Sequence, residues 1–178
     1  MPGQNLTRLE AAERSATVRT QSYDVVLDLT RGETVFGSTT TARFTATPGS
    51  SSTFIDLIAP TVRSIALNGT PLDPAEVYAD SRIALTDLAA DNELVVVADC
   101  AYMHTGEGLH RFTDQADGET YLYSQFEVPD SRRVFAVFEQ PDLKASFTFT
   151  VTAPSSWTVL SNSLAPETAT TETSEGSG

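Results

Sequence analysis

A single cysteine, Cys100, stands in 178 residues. No disulfide can form within the chain, which suits a reducing compartment. No apolar run approaches the roughly 20 residues that cross a bilayer. The opening stretch, MPGQNLTRLEAAERSATVRT, has no apolar core of the kind a secretory signal needs, so a cytoplasmic protein is expected. Basic residues are scarce: 11 Lys and Arg face 24 Asp and Glu, a formal charge of −13 with a pI near 4.3. Such a surface repels phosphate backbones and anionic lipid, so neither nucleic acid nor a membrane is an expected partner. It attracts cations, a protonated amine among them, although the same charge also serves solubility alone. Histidine is limited to His104 and His110, and neither opens an H-E-x-x-H pair. With one cysteine, these are too few donors to assign a metal site, and both are expected as exposed loop side chains. P-loop, G-x-G-x-x-G and G-x-S-x-G signatures are missing, as is an acidic calcium loop. No catalytic residue and no metal ligand is therefore assigned.

What is present reads as one domain with an all-β fold, an antiparallel sandwich or pair of curved sheets, preceded by one short helix. The length is sufficient for a real core. Thr7 and Glu10 are spaced as a capping box, opening a helix that gives way before Val18. Tyr23, Val25, Leu27 and Leu29 then alternate with Asp24, Val26, Asp28 and Thr30, the period of a half-buried strand. Val35 to Thr47 returns as a Thr-rich strand. Short runs follow about every ten residues: Phe54–Ile58, Val62–Leu67, Arg82–Leu85, Leu94–Ala98, Tyr121–Val128, Phe147–Val151 and Trp157–Leu160. Asn68-Gly69 is a tight-turn signal, and the spacing favours a sandwich or curved sheets. Residues 1–17 form the helical segment, 18–164 the β-domain and 165–178 a polar end. The polar His104–Gly118 segment is expected as a surface loop. The polar end reads either as a disordered tail or, slightly preferred, as an edge hairpin cut at its turn.

The stretch Tyr121 to Pro141, YLYSQFEVPDSRRVFAVFEQP, carries the most chemistry. If it is extended to Val128, Tyr121, Tyr123, Gln125 and Glu127 share one face. That face sets an amide and a carboxylate beside aromatic rings, a grip for a cation such as a peptide's α-ammonium group, or simply a solvated strand face. Pro129 ends the strand because it cannot donate to a ladder. Arg132 and Arg133 are expected in structural ion pairs.

The run Gln125-Phe126-Glu127-Val128-Pro129-Asp130-Ser131-Arg132-Arg133-Val134-Phe135, continued by Val137-Phe138-Glu139-Gln140-Pro141 and Lys144-Ala145-Ser146-Phe147, resembles Q-F-E-P-x-x-A-R-R-x-F-P-C-F-D-E-P-x-x-K-A-x-F. That pattern characterises the N-terminal domain of the aminopeptidase N family of zinc metallopeptidases, peptidase family M1. Three further landmarks keep the family's order: Tyr23-Asp24-Val25 with Leu27-Asp28-Leu29 and Phe36-Gly37, then Gly108-Leu109-His110-Arg111-Phe112, then Val159-Leu160-Ser161-Asn162. Val137, Glu139 and Gln140 replace the commoner Cys, Asp and Glu, and Val128 is inserted before the proline. These departures resemble the actinobacterial type of the family.

The resemblance implies a saddle-shaped β-domain packed against a thermolysin-like catalytic domain of the same polypeptide. Zinc and its H-E-x-x-H ligands would sit in that second domain, so this stretch alone is expected to be inactive and to hold no cofactor. It implies that Glu127 holds the free α-amino group of a peptide substrate and that Gln125 lines the same pocket beside the first side chain. The alternative from another class is a free-standing β-sandwich binding or adhesion module.

Overall fold

The computed structural model describes residues 5–47 and 52–163. Helix α1 (Arg8–Thr17) begins at the expected cap: Thr7 Oγ1 accepts from the Glu10 N–H, and the Glu10 carboxylate accepts from the Thr7 N–H. Eleven strands follow among the described residues: β1 (Val18–Asp28), β2 (Val35–Ala46), β3 (Ser52–Asp56), β4 (Thr61–Leu67), β5 (Thr70–Leu72), β6 (Tyr78–Ala79), β7 (Arg82–Thr86), β8 (Asp91–Ala101), β9 (Gly108–Thr113), β10 (Thr120–Gln125) and β11 (Ser146–Thr152). A single helical turn, α2 (Pro74–Val77), precedes β6. The all-β expectation holds, with a six-stranded sheet ordered β11-β1-β2-β8-β4-β5, a three-stranded sheet β3-β7-β6 and a two-stranded ribbon β10-β9. Every pairing is antiparallel except β11, which runs parallel to β1. The Asn68-Gly69 turn between β4 and β5 has both residues at positive φ, as a tight hairpin of that sequence requires.

Alternation decides which face is buried. Tyr23, Val25 and Leu27 of β1 lie inside while Val26 is exposed. Phe36 and Phe44 of β2 join Leu94, Val96 and Ala98 of β8, and Ile55, Ile83 and Leu85 from the small sheet close the same cluster. Between the sheets runs a buried strap, Val134 to Gln140, outside any named strand. A buried irregular backbone must find partners for its amides, and this one does. Val134 and Phe135 N–H donate to the Ser131 carbonyl, and Val137 exchanges bonds with Asp56 in both directions. The Ala136 N–H donates to Thr40 Oγ1 at 3.1 Å, the Phe138 N–H to Tyr23 Oη at 3.1 Å and the Glu139 N–H to Asp56 Oδ2 at 3.2 Å. The buried polar atoms of Thr40, Tyr23 and Asp56 are thus the acceptors this strap needs.

Three sequence expectations change. The His104–Gly118 segment is not one loop, because Gly108–Thr113 is strand β9, paired with β10 from Thr113↔Thr120 to Gly108↔Gln125. Its Gly and His content hid the strand, and Leu109 supplies the buried side chain that anchors it. Trp157–Leu160 joins no ladder; the Trp157 N–H instead closes a turn onto the Pro154 carbonyl. The Tyr121–Val128 strand stops at Gln125, three residues before the expected end. The polar end at 165–178 lies outside the described residues. No helix among the described residues is long and apolar enough to cross a membrane.

Candidate functional site

Gln125 closes β10 and faces Gly108, the first residue of β9. Gly108 has a φ of +60°, and a Cβ there would lie 2.9 Å from Arg133 Cβ. A side chain at 108 would thus meet both an unfavourable backbone region and a collision. Gly108→Ala is expected to lower stability by about 1–3 kcal/mol and to push Gln125 off its position. Urea unfolding measures the first effect, and an unchanged midpoint would show that the packing yields freely.

After Gln125 the chain leaves the ladder. Gln125 Oε1 accepts from the Glu127 N–H at 2.9 Å, and the Asp130 N–H donates to the Glu127 carbonyl at 2.9 Å across a turn whose Val128-Pro129 peptide is cis. Glu127 therefore sits on this turn rather than on the strand face it was expected to share with Tyr121 and Tyr123. Phe126 is the pivot: its ring packs edge-on against buried Phe135, centroids 5.5 Å apart at 88°. With Phe126 turned inward, the neighbouring amide and carboxylate are left at the surface. Gln125 is half-buried and Glu127 exposed. The Glu127 carboxylate has no ion-pair partner among the described residues.

The arginines after the turn divide. Arg133 pairs with Asp130 at 2.9 Å, the expected structural ion pair. Arg132 forms none among the described residues: it is buried, its Nε donates to the Pro129 carbonyl at 3.0 Å and its N–H to Glu139 Oε2 at 2.8 Å. The 3-10 turn at Ser131–Arg133 is held by these contacts and by the Ile58 N–H, which donates to the Arg132 carbonyl at 2.7 Å.

The described residues do not fit a catalytic metal. His104 is exposed, with Nδ1 at 2.7 Å from the Arg111 carbonyl. His110 is half-buried rather than exposed, stacked on Tyr123 at 4.7 Å, with Nδ1 accepting from the Gly106 N–H. Among the described residues no three or more His, Cys, Asp or Glu side chains are placed to hold a metal ion. Cys100 is fully buried, and burial pushes its thiol up to about 12, so it stays protonated and is not a nucleophile.

The ribbon thus ends on a half-buried Gln125, an inward-turned Phe126 and an exposed Glu127. The Peptidase M1 N-terminal domain model matches residues 19–177, and the chain belongs to that family. Among its relatives, aminopeptidase N of Streptomyces lividans is 59% identical over 170 residues, covering 94% of this chain and 20% of the Streptomyces protein. The alanine/arginine aminopeptidase of Saccharomyces cerevisiae is 44% identical over 54 residues, 29% of this chain and 6% of the yeast protein. The chain thus spans about a fifth of the length of its Streptomyces relative. Solved structures share the fold: Legionella pneumophila aminopeptidase A in complex with aspartic acid has a TM-score of 0.64 at 15% identity, covering 76% of this chain and 16% of that one. An M1 zinc metallopeptidase from Deinococcus radiodurans has a TM-score of 0.57 at 22% identity, covering 76% and 32%.

Proposed function

We propose that this chain is the substrate-anchoring N-terminal domain of a zinc aminopeptidase that removes N-terminal residues from peptides. Glu127 binds the peptide's α-ammonium group, and Gln125 lies beside the first side chain. The observation that carries this reading is the Glu127 carboxylate, exposed and without an ion pair among the described residues, yet held at a defined point by the Phe126 anchor and the hydrogen-bonded turn. An α-amino group has a pKa of roughly 7.7–8.0, so it is largely cationic at neutral pH and pairs with a carboxylate. An internal peptide bond offers no such cation. Recognition of the ammonium therefore sets the register to the chain end. Gln125 uses one lone pair of Oε1 on the Glu127 N–H, which stiffens the turn and leaves its NH2 free to donate.

Hydrolysis is assigned to a thermolysin-like domain of the same polypeptide, where zinc would polarise the scissile carbonyl and activate water. The setting is cytoplasmic, in keeping with a lone, buried, free thiol. The 178-residue chain by itself is expected to leave aminoacyl-coumarin substrates uncleaved and to lose added zinc on dialysis. Turnover accompanied by stoichiometric retained zinc would overturn the division of labour between the two domains.

A further inference from the structure

A cavity of about 300 Å³ opens beside the Glu127 turn, at the lower end of the range for small-molecule sites. Its charged lining is Arg132, Glu139 and Asp56. Asp56 is already engaged, accepting from Arg14 at 2.8 Å and from the Glu139 N–H. The other two are not fully engaged. Arg132 is 5% exposed and Glu139 7%, yet the two terminal nitrogens of Arg132 and Oε1 of Glu139 make no hydrogen bond among the described residues. These three atoms are not sealed in: the unpartnered atoms closed off from solvent are Arg14 Nη2, Ser38 Oγ and Arg82 Nε. Both residues line the cavity.

A desolvated guanidinium and a desolvated carboxylate with unused bonding capacity are costly unless something completes them. The two charges already act on each other across the cavity without an ion-pair contact, and the unused donors and acceptor of both face one small space. The remaining walls are the apolar Leu6, Val128, Pro129 and Pro141, with the polar Asn5 beside them. We propose that the cavity binds a small zwitterion, a free aliphatic α-amino acid. Its carboxylate lies on the planar fork of Arg132, its ammonium on Glu139 Oε1, and its side chain against Leu6 and the prolines. Burial raises the Glu139 carboxyl above its ordinary range, and an ammonium beside it would favour the charged form. This site is separate from the one that holds the peptide end: Glu127 does not line it, although the two share the Val128-Pro129 turn.

The test is an NMR titration of the 15N-labelled 178-residue chain with L-leucine, N-acetyl-leucine and leucinamide. Leucine should shift the amides of Asn5, Leu6 and Val128 saturably. Each analogue, lacking one charge, should bind about tenfold more weakly, the loss of one charge-assisted contact. Glu139→Gln keeps an oxygen for the Ser131 and Arg132 donors; it should weaken leucine about tenfold and leave N-acetyl-leucine unchanged. Glu127→Ala should leave the leucine titration untouched, so this site and the anchoring role of Glu127 fail independently. Absence of saturable shifts at those amides, equal binding of all three compounds, or loss of leucine binding in Glu127→Ala overturns the proposal. Should Glu139→Gln unfold, which the spectrum shows directly, the analogue series on the unaltered chain decides.

Discussion

Glu127→Ala in the full-length enzyme is expected to lower kcat/KM for unblocked peptides by roughly 30- to 1,000-fold, the equivalent of about 2–4 kcal/mol. The size follows from what the substitution leaves behind. In the free domain the carboxylate is exposed and has no ion-pair partner among the described residues, so removing it should change stability by less than about 0.5 kcal/mol. In the complex a peptide ammonium, taken partly out of water between two domains, would lose the counter-charge that Glu127 supplies. The effect therefore falls on catalysis and not on folding, a separation that urea unfolding of the same variant verifies. Glu127→Gln, which keeps hydrogen bonding but not charge, should fall between wild type and alanine. A loss within about twofold for alanine, far below the cost of an uncompensated charge, would remove Glu127 from the site.

Arg14→Ala is expected to cost about 3–5 kcal/mol of stability, a large share of the roughly 5–15 kcal/mol available to a domain. Arg14 is the only buried residue of α1, while Leu9 is 76% exposed. The helix is consequently held by a polar latch rather than by an apolar stripe, and ten residues do not form a stable helix alone. The guanidinium pairs with Asp56 at 2.8 Å, donates from Nε to Gln140 Oε1 at 2.9 Å and lies 4.7 Å from the Phe54 ring centroid. Arg82 covers Phe54 from 4.1 Å and pairs with Glu10 at 2.6 Å, holding the Glu10 carboxyl down at about 2. Without Arg14 the Asp56 carboxylate stays buried with Arg82 Nε 3.8 Å away, while Asp56 still has to cap the strap at Glu139 and Val137. Equilibrium urea unfolding measures the loss. A change below about 1 kcal/mol, the range of an exposed pair, would mean that the latch is peripheral.

Local signals in the sequence were enough for the elements whose stability is local. The Thr7–Glu10 cap, the alternation of Tyr23, Val25 and Leu27, and the Asn68-Gly69 turn each depend on residues within a few positions. Arg14 was not legible, because a buried arginine in a polar helix depends on Asp56 and Gln140, 42 and 126 residues away. The Val134–Gln140 strap was hidden for a similar reason. Its apolar residues invite a strand assignment, but its amides are completed by Thr40 and Tyr23 from β2 and β1. Gln125 and Glu127 stood out first as an amide and a carboxylate on one face of an assumed strand, and resemblance to a family motif then gave them roles. Alternation placed them on one strand face, whereas the Gln125 side chain itself captures the Glu127 N–H and ends the extended chain. The cavity beside that turn joins residues 5 and 6 to residues 128–141, a juxtaposition that no local pattern announces.

The most direct measurement is the selectivity of the full-length enzyme for a peptide over its analogue with α-hydroxyl in place of the α-amino group, compared in wild type and Glu127→Ala. The expected result is that wild type favours the amine by roughly 30-fold or more and that the alanine variant loses most of this preference, since a neutral hydroxyl never formed the charged contact. Equal preference for the amine in both enzymes would contradict the assignment of the α-ammonium to Glu127.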